Sequence, residues 1–181
     1  MYHQKILASL LALAATTSAL SVPKGDGVWS VSVDANGNEV HELIQPLDPT
    51  IAEMVKRGDG DALFRRSSFP PGSSATCADA SDQVSDSDWQ AATANFKRAC
   101  AASSGLLKNK QAILATSGGC TVYMCNYSSK GNPCSGDEFS AASDQIAASC
   151  RNSQNGSHQA GWFSMPSWEK TYGWEKSEQV C

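Results

Sequence analysis

Seven cysteines are the most reactive side chains in this 181-residue sequence, and their placement limits the chemistry open to them. Cys77, Cys100, Cys120, Cys125, Cys134, Cys150 and Cys181 all follow Arg66, and none precedes it. In an oxidising compartment such a block reads as a disulfide framework. Zinc is disfavoured, because there is no Cys-x-x-Cys and His158 is the only histidine after Arg66. A Ser-His-Asp hydrolase would have to use that histidine, which sits in the loop-like "RNSQNGSHQAG" and reads as a solvated residue. No Gly-x-Ser-x-Gly elbow accompanies it. Asp137 and Glu138 could in principle form part of a glycosidase pair. They stand, however, where a helix N-terminus favours negative charge, which gives them a structural role. With no phosphate loop and no metal cluster in the sequence, no cofactor is expected and the protein does not read as an enzyme.

Recognition is the more promising chemistry. Trp162, Trp168 and Trp174 recur every six residues and would share a face of one continuous strand, with Tyr172 at the same parity. Exposed Trp and Tyr can stack on sugar rings or anchor a partner protein. Trp162 is expected in the core, while Trp168, Tyr172 and Trp174 are candidates for a binding surface. The sequons "NYS" at Asn126 and "NGS" at Asn155 are acceptors for glycosylation, Asn155 the more accessible of the two.

What must be set aside first is the N-terminal part. "ILASLLALAATTSA" after Lys5 has the length and small-residue ending of a secretory signal, shorter than the roughly 20 apolar residues of a membrane span. Residues 1–19 read as a signal peptide, with cleavage near Ala19 or Ser21. Next, "VWSVSVDANGNEVHEL" alternates Trp29, Val31 and Val33, then turns at Asn36-Gly37 as a hairpin does. "LDPTIAEMVKR" carries a helix start at Asp48 and Pro49. Two dibasic pairs, Lys56-Arg57 and Arg65-Arg66, flank a Gly- and Asp-rich stretch of the kind proteases nick. Together with the signal and the abrupt onset of cysteines, they read as kexin-type processing sites. Residues 20–66 are then a propeptide and 67–181 the mature domain.

The mature part carries 8 Lys/Arg and 10 Asp/Glu, a balance too small and scattered to select nucleic acid or an anionic membrane. No stretch after the signal is apolar enough to span a bilayer. Two segments define the framework of this domain. "SDSDWQAATANFKRAC" and "SGDEFSAASDQIAASC" repeat one pattern at a constant offset of 50 positions. Each opens Ser-x-x-acid, a capping arrangement, and continues with apolar residues at helical steps: Trp89, Ala92, Phe96 and Cys100, then Phe139, Ala142, Ile146 and Cys150. Strand-forming sequence comes after each helix, around Gly118-Gly119 and again in "QAGWFSMPSWEKTYGWEK". The order helix, hairpin, helix, hairpin predicts an α+β fold: two amphipathic helices packed on one face of a mainly antiparallel sheet, stapled by disulfides. Cys100 and Cys150 lie on buried helix faces and should be bonded. Cys120 and Cys125 are five apart, on opposite faces of a strand, and should not pair with each other. Cys181 should be tied down, leaving three intramolecular bonds and one thiol that is free or intermolecular.

A signal, a kexin-type propeptide and a small cysteine-rich domain resemble the secreted effectors of filamentous fungi. "SDWQAATANF", "GGCTVYMCNYS" and "SGDEFSAASDQIAASC" are similar in layout to the necrosis-inducing effector family and to killer-toxin-like α/β sandwiches, over roughly residues 77–181. The resemblance implies an extracellular, non-enzymatic protein acting on a host plant or a competing microbe. Its partner would be a host protein or, on the alternative reading of a glycan-binding matrix protein, a cell-wall glycan. It carries over no site residues.

Overall fold

The alternation of Trp29, Val31 and Val33 is that of a strand with one side on a core, and the computed structural model puts them in such a strand. The structure describes residues 19–48, 50–51, 68–103, 105–150, 152–153, 156–176 and 178–181. Residues 1–18 of the expected signal peptide, both dibasic pairs, Ser67 and Asn155 lie outside these. In chain order the elements are β1 (Leu20–Ser21), β2 (Gly27–Val33), β3 (Glu39–Gln45), β4 (Ser74–Cys77), β5 (Gln83–Ser85) and α1 (Asp86–Ala102). Next come β6 (Leu106–Leu107), β7 (Gln111–Ser117), β8 (Cys120–Asn126), β9 (Asn132–Pro133), α2 (Gly136–Ser149), β10 (Asn152–Ser153) and β11 (Ser157–Gln159). The chain ends through β12 (Gly161–Met165), a 3₁₀ turn (Pro166–Trp168), β13 (Lys170–Glu175) and β14 (Gln179–Val180).

Seven strands form the main sheet in the order β3-β2-β7-β8-β13-β12-β4, and every pairing in it is antiparallel. Both helices lie on one face, so the fold is the α+β sandwich that the periodicities predict. Each helix begins as its sequence dictates: Ser85 accepts from the backbone N–H of Asp88 at 3.1 Å, and Ser135 from that of Glu138 at 3.2 Å. Acidic residues fill both first turns, where the helix dipole favours them. Ala92, Phe96 and Cys100 of α1 and Phe139, Ala142 and Ile146 of α2 are buried against the sheet. Phe96, Phe139 and Tyr172 of β13 meet at 4.9–6.2 Å between ring centroids, two of the three contacts edge-on.

The segment expected to be a propeptide is built into this sheet. β2 pairs with β7 on one side and with β3 on the other, while β1 pairs with β14. The β2–β3 turn falls at Asn36-Gly37 as predicted, with Gly37 at φ 85°. Its organiser is Asp34, whose Oδ1 accepts from the N–H groups of Asn36 and Asn38, both at 2.8 Å. Those bonds, above all those from Asn38, hold the Asp34 carboxyl below its ordinary pKa.

Three disulfides are present: Cys77–Cys150, Cys100–Cys134 and Cys125–Cys181. The first ties β4 to the end of α2, and the second ties α1 to the residue before the α2 cap. The third fixes the C-terminus over the sheet face opposite the helices. Cys120 is free and buried.

Candidate functional site

Side chains alternate across the sheet, so every residue in β8, β13 and β12 that faces away from the helices belongs to a second surface. The register puts Leu114, Tyr123, Gly173 and Trp162 in one row across four strands of that surface. Ala112, Cys125, Thr171 and Ser164 form the next row. The middle of the first row is glycine for a steric reason. A Cβ on Gly173 would lie 2.6 Å from the phenol oxygen of Tyr123, because that ring lies across the Gly173 backbone. The C-terminal tail, fixed by Cys125–Cys181, crosses one end of this surface, and Leu20 and Val180 are buried where β1 meets β14.

Between tail and sheet lies a cleft of about 360 Å³, lined by Tyr123, Tyr127, Trp162, Thr171, Glu175 and Gln179 among others. The Tyr123 hydroxyl donates to Glu175 Oε1 at 2.5 Å. Burial, with the neighbouring Glu175 carboxylate, pushes the Tyr123 phenol well above its ordinary pKa. Tyr123 therefore stays a donor at any physiological pH. Tyr127 is 41% exposed and its hydroxyl reaches the carbonyl of Cys181 at 3.4 Å. Burial raises its pKa too, against a hydrogen bond with Thr171 that lowers it. Aromatic faces thus border a carboxylate and a threonine hydroxyl. Among the described residues lining the cleft, Glu175 is the one carboxylate side chain, so the cleft does not hold a two-carboxylate glycosidase arrangement.

The aromatic residues fall differently from the sequence expectation. Trp174 and Tyr172 are 1% and 0% exposed, on the helix face, and neither can meet a partner. The reason is the turn between the strands. It pairs Trp162 with Gly173, eleven residues on, so Trp162 and Trp174 point to opposite faces. Trp174 donates its indole N–H to the Gln159 carbonyl at 3.0 Å and meets Trp89 edge-on. Trp162, expected in the core, is instead a half-buried wall of the cleft. Trp168 alone of the proposed binding residues is exposed, at 37%, at the tip of the 3₁₀ turn beside Phe69 and over the Lys170 ammonium. Accordingly Trp174→Ala should cost ~3–5 kcal/mol of stability, as truncation of a buried Trp does. Trp168→Ala should cost under about 1 kcal/mol, within the range of surface substitutions that remove some packing. Thermal denaturation of the two variants checks both.

The sequon at Asn126 is also corrected. Asn126 is 1% exposed, and the nitrogen that would carry a glycan donates to the carbonyls of Leu107, Lys108 and Ser128 at 2.7–3.2 Å. Its Oδ1 accepts from Ser128 N–H and from Asn132 Nδ2. Asn126 therefore organises the chain entering β7 and leaving β8, and a sugar on it is incompatible with the fold. Glycosidase treatment should produce no mass change in the peptide containing Asn126, while Asn126→Ala should destabilise the protein by ~1–3 kcal/mol.

Two histidines occupy places that the sequence does not suggest. His158 is on β11 rather than in a solvated loop. Its Nε2 is 2.9 Å from Asp86 Oδ1, and its ring stacks on Trp89 at 4.4 Å. His41 lines a cavity of about 700 Å³ between β1, the β7–β8 turn and residues 176 and 178. Ser21 Oγ and Glu39 Oε2 both contact His41 Nε2, each at 3.2 Å, and Ser21 also bonds Glu39 directly. In a hydrolase triad the acid holds Nδ1 while the serine meets Nε2. Here both crowd one nitrogen, so the cluster is a polar knot rather than a relay. The Ser21 hydroxyl is the main cause of a lowered Glu39 pKa.

Among the described residues no group of three metal-ligating side chains converges, and no helix is long and apolar enough to cross a membrane. The chain matches no family model, no curated protein and no solved structure.

Proposed function

We propose that this is a secreted fungal effector or toxin-like protein, matured by kexin-type cleavage, that acts on a host plant or competing microbe by binding rather than by catalysis. The observation that carries the binding reading is the cleft on the helix-free sheet face, with Trp162 and Tyr127 at its walls and the Tyr123–Glu175 pair inside. Cys125–Cys181 fixes the C-terminal tail at the cleft itself, and the three disulfides together suit an extracellular setting. Infiltration of purified protein into leaf tissue, and its addition to microbial cultures, tests the toxin reading. Trp162→Ala should abolish any response while the protein stays folded, with a lowered thermal midpoint because the ring also packs on the core of that face. A response that survives this substitution would place recognition elsewhere.

A second reading, a glycan-binding protein of the cell wall or matrix, draws on the same cleft. Aromatic rings beside a carboxylate and a hydroxyl offer both stacking and hydrogen bonds to a pyranose. Pull-down on chitin and on β-glucan decides between the readings. Retention that Trp162→Ala and Glu175→Gln both weaken favours the glycan, and no retention on any wall polymer favours a protein target.

A further inference from the structure

Residues 20–48 are held to the rest of the chain at three separated places. In the middle, β2 and β7 form a ladder from Gly27–Thr116 to Val31–Ala112. Val28 and Val31 have no exposed surface, and they complete different cores: Val28 under the helices, Val31 on the opposite face. At one end β1 pairs with β14, and the Val22 N–H donates to the Glu178 carbonyl at 2.8 Å. At the other end, the fully buried Asn95 of α1 binds both backbone groups of Asp48. Asn95 Oδ1 accepts from Asp48 N–H at 3.0 Å, and its Nδ2 donates to the Asp48 carbonyl at 3.1 Å. Arg98 Nη1 adds an ion pair to the Asp48 carboxylate at 3.0 Å.

We infer that cleavage at the dibasic pairs does not release this segment: it stays on residues 67–181 as a non-covalent second chain. The cut itself rests on the maturation reading proposed above, whereas retention after the cut rests on the three sets of contacts. Residues 20–66 contain no cysteine, so no disulfide can retain the segment and non-covalent contacts must do it. Departure would open β7 as an unpaired edge beside apolar Ala112 and Leu114, a template for aggregation. It would also strip the buried Asn95 amide of both its bonds to Asp48, leaving it only the Ala91 carbonyl and the Arg98 guanidinium as partners. Nor does the segment have a fold of its own to return to. β3 is exposed along almost its whole length, and an isolated two-stranded hairpin is marginal in water. The edge that β7 would present is therefore already filled, and its occupant is residues 20–48. The same segment supplies β1, which pairs Leu20 with Val180 at the edge of the binding cleft.

The test separates retention from maturation. Purified protein beginning at Leu20, with a site-specific protease sequence replacing residues 58–63, is cut and examined by native mass spectrometry and size exclusion. One species with the mass of both pieces, parting only in denaturant, is expected. Free 67–181 domain at micromolar concentration would overturn the inference. Val31→Asp should release the segment after cutting. Should that variant not fold uncut, Asn95→Ala should weaken retention by roughly ten- to hundredfold, the loss expected for buried hydrogen bonds. An unchanged affinity there would refute the anchoring assigned to Asp48. Culture filtrate is sequenced in parallel. Two N-termini in one native peak, one near Leu20 and one at Ser67, support both readings. Ser67 alone refutes retention. An uncut chain refutes the maturation reading, and the engineered cut then decides retention by itself.

Discussion

Reduced protein should be unfolded at room temperature. The three disulfides span 34, 56 and 73 residues of sequence. In the chain-entropy treatment each loop of that size destabilises the unfolded state by about 4 kcal/mol, although the origin of the effect is debated. Together they are comparable to the roughly 5–15 kcal/mol by which a domain is ordinarily stable. Losing Cys77–Cys150 alone would free β4, an edge strand, from the end of α2. Thiol titration of denatured, unreduced protein should find one sulfhydryl per chain, that of Cys120. In the native state it should find none, because Cys120 is buried, and burial together with nearby Asp88 keeps its thiol protonated. Three or more thiols in the denatured protein would rule out the framework. So would a reduced protein that kept its near-ultraviolet circular dichroism and its cooperative transition.

The helices were legible because each carries its own start signal and its own period. Ser85 and Ser135 cap, and the apolar steps after them name the buried face down to Cys100 and Cys150. The pairing of strands was less so. Alternation in β2 showed that one side needed a core, but nothing local says that its neighbour is β7, more than eighty residues away. The absence of cysteines before Arg66 pointed to a detachable part, and nothing in that absence shows that Val28 and Val31 of the same part are fully buried in the sheet. The cleft was missed for a different reason. Six-residue spacing of tryptophans implies a shared face only on an unbroken strand, and the turn beginning at Pro166 exchanges the faces. Gly173 carried the missing signal, since a glycine inside a strand marks the close approach of another group, here the Tyr123 ring. Asn126 shows the limit of a sequon: the motif is local, but two of the three carbonyls that claim its nitrogen lie eighteen or nineteen residues earlier, at Leu107 and Lys108.

Replacing Glu138 should be among the most damaging single changes in the protein. Lys170 is 3% exposed, although it lies on the face of β13 that packs under the helices. Its ammonium is 2.5 Å from Glu138 Oε1 and lies 5.4 and 5.6 Å from the ring centroids of Trp168 and Tyr172. Glu138 is in the first turn of α2, where the helix N-terminus also favours its charge. The two ions thus join helix to sheet inside the sandwich. Glu138→Ala leaves a buried ammonium with only aromatic faces beside it, and removing one partner of a buried pair typically costs ~3–5 kcal/mol. Lys170→Met should cost less, because the carboxylate left behind is partly solvated and keeps its place at the helix end. The apolar replacement Glu138→Leu with Lys170→Met should be more stable than Glu138→Ala, since apolar pairs often substitute for buried ions without loss. A thermodynamic cycle over the native protein, Glu138→Leu, Lys170→Met and their combination measures the coupling. Strictly additive single effects would mean that the pair is no more than a contact between independent side chains.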